Sequence, residues 1–313
     1  MYEPSLESTG TSQFAGQPAG DKTMTATTFT ASRPNRLALL ALHASTVALL
    51  TLPTQPIAAQ ESNAQHSSWH GSVGMAAGSI ASYYGADARR TLGAPVIDLA
   101  FRNRLLIRTS TGNGALGAGI QWIVKDGMLG ASVGLAGSGS RQENKANGLA
   151  GMDDRSGSFF GTTSLFLRAG PAVAMSTTMI GLDANAGNMQ LLGLQLGGVI
   201  TPRLFAGIGS TITWADSKNM AFDFGISPEQ AERRRELLDA GDGRLRDGDA
   251  VAFAPHAGFK ELRNTAQLGY AIYGAWQVVG VVSQGQLGHG AAESPLARQS
   301  SAMTTALGFV YRF

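Results

Sequence analysis

The C-terminal stretch from Ala302 to Phe313 most constrains how this chain folds, because its side chains alternate in size. An extended strand places the larger ones on one face: Met303, Thr305, Leu307, Phe309, Tyr311 and Phe313. Only 15% of the residues are charged, too few to give a soluble sheet charged outer faces. We therefore predict that the bulky face points into lipid. The alternative is an ordinary core strand that happens to end the chain.

The aromatic residues at the end of this strand match the interfacial girdle of a membrane β-barrel. Leu307, Phe309, Tyr311 and Phe313 resemble the C-terminal motif of bacterial outer-membrane barrels. The resemblance implies that these four residues are the signal read by the barrel assembly machinery.

Composition excludes several other classes of protein. Cysteine is absent, which rules out disulfides, thiolate metal sites and a cysteine nucleophile. The 24 basic and 22 acidic residues give a net charge of +2, too near balance to indicate nucleic acid binding.

The N-terminal region has the order of a secretory leader. Residues 1–32 form a polar extension, which we expect to be disordered or not translated, since Met24 offers an alternative start. Residues 33–59 combine a basic front, an apolar run and a small-residue exit, and so predict a signal peptide cleaved after Ala59. The apolar run is shorter than the roughly 20 residues of a membrane-spanning helix. Residues 60–69 are expected to be a flexible start of the mature chain.

Residues 70–313 read as repeated alternating stretches bounded by Gly, Asn, Asp or Pro. They predict an all-β fold, a transmembrane antiparallel β-barrel of about twelve strands, with roughly ten as the alternative count. The predicted strands are 70–82, 94–102, 104–110, 114–124, 127–138, 157–169, 171–182, 187–199, 203–215, 254–263, 266–281 and 302–313.

Loop lengths provide an independent test of this prediction. Short connections fall on one side, the predicted periplasmic side: 102–104, 125–127, 170, 200–202 and 264–265. Every long connection falls on the other side: 83–93, 139–156, 216–253 and 282–301. Two connections on that second side, 111–113 and 183–186, are also short.

The longest connection contains a predicted helix from Pro228 to about Leu238, because Ser227 can cap it and Pro228 suits its first position. The helix carries a basic run, Arg233, Arg234 and Arg235. This run is a candidate contact for anionic lipid or a partner protein, although such a run is more often a solvated helix face.

No stretch predicts a catalytic group, a cofactor or a metal site. Gly112 to Gly117 spells G-x-G-x-x-G but continues as a strand, whereas a dinucleotide site requires a helix there. His66 and His70 lack a third ligand. Asp153, Asp154 and the pair Asp247 and Asp249 read as solvated loop carboxylates or loose cation ligands. A hydrolase site of Ser, His and Asn on the barrel wall is not excluded by spacing.

Three stretches together resemble the MltA-interacting protein (MipA) / OmpV family of outer-membrane proteins. They are Tyr83 to Leu99 (YYGADARRTLGAPVIDL), Phe224 to Gly243 with its FGIS and DAGDG ends, and Gly288 to Leu296 (GHGAAESPL) followed by the terminal GFVYRF. The chain departs from the family pattern at His289 and Gly290, where an acidic residue is expected, and in the inserted Arg-rich helix.

The resemblance implies a barrel in the outer membrane that, in some members, is a scaffold linking a lytic transglycosylase to a peptidoglycan synthase. Other members are described as porin-like proteins, adhesins or antigens. We therefore expect a non-enzymatic structural barrel, with a small-solute pore or a surface adhesin as alternatives. The expected partners are outer-membrane lipid, the barrel assembly machinery and a murein hydrolase and synthase.

Overall fold

The structure is a computed structural model that describes residues 68–111, 115–124 and 127–313. The predicted extension at 1–32 and the signal peptide at 33–59 lie outside the described residues, as do residues 60–67 and the predicted turn residues Lys125 and Asp126. The strands are β1 Trp69–Ala81, β2 Arg89–Phe101, β3 Leu105–Thr111, β4 Ala115–Val124, β5 Leu129–Gly137, β6 Phe159–Ala169, β7 Ala172–Gly181, β8 Asn188–Thr201, β9 Leu204–Ala215, β10 Gly258–Tyr273, β11 Trp276–Leu287 and β12 Ser301–Arg312.

Within the described residues, these twelve strands form one closed antiparallel barrel, which confirms the predicted fold class and strand count. Each strand pairs with its neighbours in sequence, and β1 pairs with β12 to close the sheet. The seam runs to the last residue: Gly71 N donates to Phe313 O (2.9 Å) and Phe313 N donates to Gly71 O (3.0 Å). Closure leaves no unpaired sheet edge, as a lipid environment requires.

The bulky face of β12 points outward, as predicted. Leu307 is 63% exposed, whereas Thr304 and Val310 on the opposite face are each 5% exposed. Other strands show the same alternation, with exposed Ile120 and Trp122 on β4 and exposed Leu192 and Leu194 on β8. The outer wall is therefore apolar around the barrel and suited to contact hydrocarbon.

The two ends of the barrel differ as predicted. The first residues of β1 and the last residues of β12 lie at the end with short turns, which we name the turn end. The long connections meet at the opposite end, the loop end. Stacked and tilted aromatic pairs lie near the turn end: Trp69 with Phe101, and Trp276 with Phe309 and Tyr311.

Several predicted strand boundaries are wrong: β10 starts at Gly258 rather than at residue 254, and β11 runs to Leu287 rather than ending at residue 281. The turn predicted at Asn264 and Thr265 does not exist, because β10 runs through both residues and turns at Gly274, where φ is +55°. The structure also starts β2 at Arg89 rather than residue 94. In both places, polar residues predicted to leave the sheet are paired within it, Arg89 with Ala81 and Asn264 with Ser210.

The predicted helix is confirmed as α2, Pro228–Asp239, which follows α1, Ser217–Phe224. A short helix, α3 (His289–Ala292), and two 3-10 turns, Glu143–Lys145 and Asn147–Leu149, lie in other loops and were not predicted. Among the residues that the structure describes, none of the helices has the length and apolar character that a membrane crossing requires.

Candidate functional site

The long loops fold into the mouth of the barrel at the loop end. Met220 and Phe224 of α1 and Ala291 of α3 share one buried cluster with the inward strand residues Phe160 and Met189. Inward side chains of the wall and side chains of the loops belong to the same cluster. The loops therefore lie inside the opening at the loop end rather than above it. We call this packed set of loops the cap.

A second buried cluster joins the loops to one another. Tyr83 follows β1, Leu149 and Met152 lie between β5 and β6, Ile226 lies between α1 and α2, and Leu296 follows α3. Four separate connections therefore share one small hydrophobic core, which holds the cap together by burial of apolar area.

Local sequence sets the start of the two longer helices in the cap. Asp216 caps α1, and its carboxylate accepts a hydrogen bond from Asn219 N (2.8 Å). The predicted capping box of α2 is present, since Ser227 Oγ accepts from Gln230 N and Gln230 Oε1 accepts from Ser227 N. Asn219 then reaches across the cap, where its Nδ2 donates to Ala186 O (2.7 Å).

The three arginines of the predicted basic run have different environments. Arg234 is completely buried, and its guanidinium donates to Gly148 O (3.1 Å), Ala150 O (2.7 Å) and Asp249 O (2.7 Å). Burial lowers the pKa of Arg234. Arg234 therefore links the loop between β5 and β6 to the loop between β9 and β10. Its side chain is not accessible to lipid or a partner, so the predicted contact is wrong for Arg234.

The other two arginines of the run are accessible. Arg233 is partly exposed and pairs with Asp153, and Arg235 is exposed and pairs with Glu232 of the same helix. Exposed pairs of this kind add little stability. Contact of Arg233 and Arg235 with lipid or a partner therefore stays a prediction.

A β-bulge places Lys260 inside the mouth of the barrel. Phe259 pairs with Trp214 and Glu261 with Thr213, so Lys260 is the extra residue of β10 and breaks the in-and-out alternation. Lys260 is 2% exposed, and its Nζ donates to Asp223 Oδ2 (2.6 Å) and Asn219 Oδ1 (2.6 Å), both on α1. This contact fixes the first helix of the cap to the barrel wall.

Asp223 also forms an ion pair with a second cation, Arg155. Arg155 Nη2 lies 3.2 Å from Asp223 Oδ1, and the Arg155 guanidinium stacks 3.3 Å from the centre of the Phe222 ring. Burial by itself would raise the pKa of Asp223, but Lys260 and Arg155 outweigh it and hold this pKa below its ordinary value. Burial, helped by repulsion from Arg155, lowers the pKa of Arg141 to about 10. Asp223 and Arg141 are thus charged at neutral pH.

The interior below the cap is polar but narrow. Gln121, Gln195 and Gln267 point inward and are each less than a tenth exposed. Large side chains cover inward glycines: the Phe205 ring lies where a side chain on Gly269 would be, and the Phe166 ring lies over Gly130 in the same way. These rings fill part of the lumen.

The turn end carries exposed arginines. Arg102 and Arg104 lie in the turn after β2, and Arg203 lies in the turn after β8. Arg102 and Asn103 both adopt positive φ, so this turn is tight, and both side chains are exposed. Together with Tyr273, which is 83% exposed, these residues form what we call the basic rim.

The remaining sequence candidates lie apart from one another. β4 begins at Ala115, so the part of the G-x-G-x-x-G stretch within the described residues is a strand, as predicted. Asp153 pairs with Arg233, and Asp249 pairs with Arg298 (2.6 Å). His66 lies outside the described residues. Among those described, no group of three His, Asp or Glu side chains could hold a metal ion.

Comparison with known proteins decides the family. Residues 73–313 match the family described as MltA-interacting protein MipA. The chain belongs to the MipA family. The match covers nearly all of the barrel, and together with the closed barrel and its apolar outer wall it places this MipA-family protein in the outer membrane.

Solved structures similar to this MipA-family barrel include two outer-membrane channels. The NanC porin is 10% identical with a TM-score of 0.43, over 77% of this chain and 100% of that one. The DcaP channel of Acinetobacter baumannii is 11% identical with a TM-score of 0.36, over 78% of this chain and 96% of that one. No curated protein matches the chain.

Sequence reasoning missed the charged contacts that hold the cap of this MipA-family protein. Lys260, Asp223 and Arg155 lie far apart in the chain, and no motif links them. One local pattern was available: Ala231 and Arg234 of α2 are three residues apart and both are buried, so helical spacing marks Arg234 as the arginine that faces inward.

Proposed function

We propose that this protein is a non-enzymatic structural barrel of the outer membrane that holds a murein hydrolase at its basic rim. The observation that carries the proposal is the match of residues 73–313 to a family described as MltA-interacting. A partner that acts on murein must be met at the periplasmic end of the barrel, which we assign to the end with short turns, the start of β1 and the end of β12.

The structure of the two ends supports this division of roles. The loop end is filled by the cap, with its two buried clusters, so it offers little open passage for solutes. The rim at the turn end exposes Arg102, Arg104 and Arg203, and no acidic side chain lies in the described turns there. An acidic surface on a murein hydrolase or synthase would complement this rim.

The test is retention of murein enzymes by the purified barrel in detergent. We expect the native protein to retain a lytic transglycosylase, and retention to fall at least about fivefold when Arg102, Arg104 and Arg203 are all changed to Gln. The matched control changes Arg233 and Arg235 to Gln at the other end, and it should retain the enzyme fully.

Two results would argue against the proposal, and they are distinguishable. If the native barrel retains no murein enzyme, the scaffold role is wrong. If both variants retain it equally, the scaffold role stands and the basic rim is not the contact.

A small-solute pore is the second candidate, because the inward glutamines and threonines make the lumen polar. The rings of Phe166 and Phe205 and the cap oppose it. Ion conductance across a planar bilayer separates the two functions, since a scaffold with a filled mouth conducts little.

A further inference from the structure

A small cavity lies inside the mouth of the barrel, between the cap and the wall. Its volume is about 100 Å³, which is room for several water molecules or one small multi-atom anion. Side chains from β2 and β10 line it together with residues of the loop between β5 and β6 and of α1. It is distinct from the basic rim, which is at the opposite end of the barrel.

The charges around this cavity do not balance. Five cationic side chains line it: Arg90, Arg141, Lys145, Arg155 and Lys260. Among the described residues that line it, Asp223 is the single acid. Lys260 and Arg155 both already pair with Asp223, so one carboxylate serves two close cations and leaves a net positive charge in the cavity.

Several donors of the two loop arginines also lack acceptors. Arg141 Nε and both Nε and Nη1 of Arg155 are buried and find no hydrogen-bond acceptor among the described residues. Arg155 Nη2 pairs with Asp223 and Arg141 Nη1 donates to Asp223 O (3.5 Å), but the remaining buried donors stay unpaired, which is costly for charged groups. A ligand that brings both negative charge and acceptor oxygens would satisfy them.

We propose that this cavity binds one small oxyanion, a phosphate or carboxylate group, between Arg141, Arg155 and Lys260. Guanidinium groups bind such groups through paired, charge-assisted hydrogen bonds, and a lysine adds a point charge. Lys260 forms the buried side of the site and is 2% exposed, whereas Lys145 is exposed and marks its mouth. The oxyanion thus enters the cavity from solvent at the loop end of the barrel.

The experiment measures binding to the refolded full-length barrel in a neutral detergent at low salt. The probes are inorganic phosphate, glycerol phosphate and acetate, each followed by calorimetry. We expect one site per barrel for at least one of the three. Binding of glycerol phosphate as well as phosphate means that the group belongs to a larger molecule reaching in from outside, whereas binding of phosphate or acetate alone identifies a free ion.

Matched variants connect binding to this cavity. Arg141→Gln should weaken binding at least about tenfold, and Lys145→Gln at the exposed mouth should weaken it about two- to fivefold. Arg233→Gln removes the same charge from α2 outside the cavity and should change nothing. Lys145 is the safeguard against misfolding, because it is exposed, and folding of every variant is checked by the shift in gel mobility on heating.

The proposal is overturned if none of the three probes binds the native barrel at millimolar concentration. It is equally overturned if Arg141→Gln and Arg233→Gln bind a probe with the same affinity, because binding then occurs elsewhere on the surface. Neither result bears on retention of murein enzymes at the basic rim.

Discussion

Three backbone carbonyls in the cap depend on the side chain of one residue. Gly148 O, Ala150 O and Asp249 O all accept hydrogen bonds from the buried guanidinium of Arg234. Gly148 lies in a single 3-10 turn and Ala150 and Asp249 lie in loops, so neither a strand nor a regular helix supplies donors to these carbonyls. The guanidinium of the fully buried Arg234 thus supplies the hydrogen-bond donors that backbone N–H groups supply in a helix or a sheet.

Replacing Arg234 with Met should therefore loosen the cap. We expect a loss on the order of 3–5 kcal/mol, because the buried carbonyls lose their donor and the Asp249 carboxylate loses the guanidinium that lies 3.8 Å away. The measurement is the rate of loop cleavage by thermolysin, whose specificity does not depend on arginine. Arg233→Met, at a partly exposed pair, is the control and should cost less than about 1 kcal/mol. Equal cleavage of the two variants would contradict the role of Arg234 as a link between the two loops.

Ionisation of the buried Tyr83 should lower the stability of the cap at alkaline pH. Burial raises the pKa of Tyr83 to about 12, and its hydroxyl finds no hydrogen-bond partner among the described residues. A group whose pKa is higher in the folded state stabilises that state below its unfolded pKa, and the stabilisation is lost as pH rises through the folded pKa. Between about pH 10 and 12, on the order of 2–3 kcal/mol of cap stability should disappear.

Tyr83→Phe tests this loss of stability, because Phe keeps the ring and cannot ionise. We expect the variant to keep its cap closed to thermolysin at a higher pH than the native protein, with no loss at neutral pH. Tyr273→Phe, at an exposed side chain of the turn end, should leave the alkaline transition unchanged. A transition that survives in Tyr83→Phe would mean that another group drives it.

At the scale of single elements, the sequence predicts most strands because one face meets lipid and the other does not. The prediction fails where a polar residue lies within a strand and forms its hydrogen bond with a side chain on a neighbouring strand. Asn264 was predicted to turn, but its Oδ1 accepts from Ser210 Oγ (2.7 Å) on β9, and Thr265 bonds Ser283 (2.9 Å) on β11. Such cross-strand pairs are known only once the register is known.

The seam between β1 and β12 makes an element-level prediction at Gly71. This residue has φ of +152°, and a Cβ there would lie 2.0 Å from Asp98 O on β2. Gly71→Ala should therefore push β1 away from β2 at the residue that also closes the seam, and destabilise the barrel by on the order of 2–3 kcal/mol. Gly93→Ala is the matched strand control, because the nearest atom to its Cβ would be 3.9 Å away. The readout is the temperature at which the folded gel band is lost, and equal temperatures would refute the prediction.

At the scale of the whole molecule, the barrel could be predicted and the cap could not. Strand alternation, turn spacing and the C-terminal pattern are local and repeat along the chain, so each repeat supports the others. The cap is built from contacts between loops with no period, such as Lys260 with Asp223 and Arg155 with the same carboxylate. The bulge that turns Lys260 inward has no sequence mark of its own.

The cap therefore decides whether the whole molecule can conduct. In planar bilayers we expect the native barrel to show few or no conductance steps, because the loops occupy its mouth. Replacing residues 217–256 with a short Gly/Ser linker removes α1 and α2, and with them Asp223 and Arg234, so the remaining loops lose their main attachments and steps should appear. The control inserts the same linker into the turn at Gly274, which leaves the cap whole. Equally high conductance of native and shortened barrels would show that the cap does not close the lumen, and the pore would then replace the scaffold as the favoured function. No conductance in either would mean that inward side chains such as Phe166 and Phe205 close the lumen without the cap.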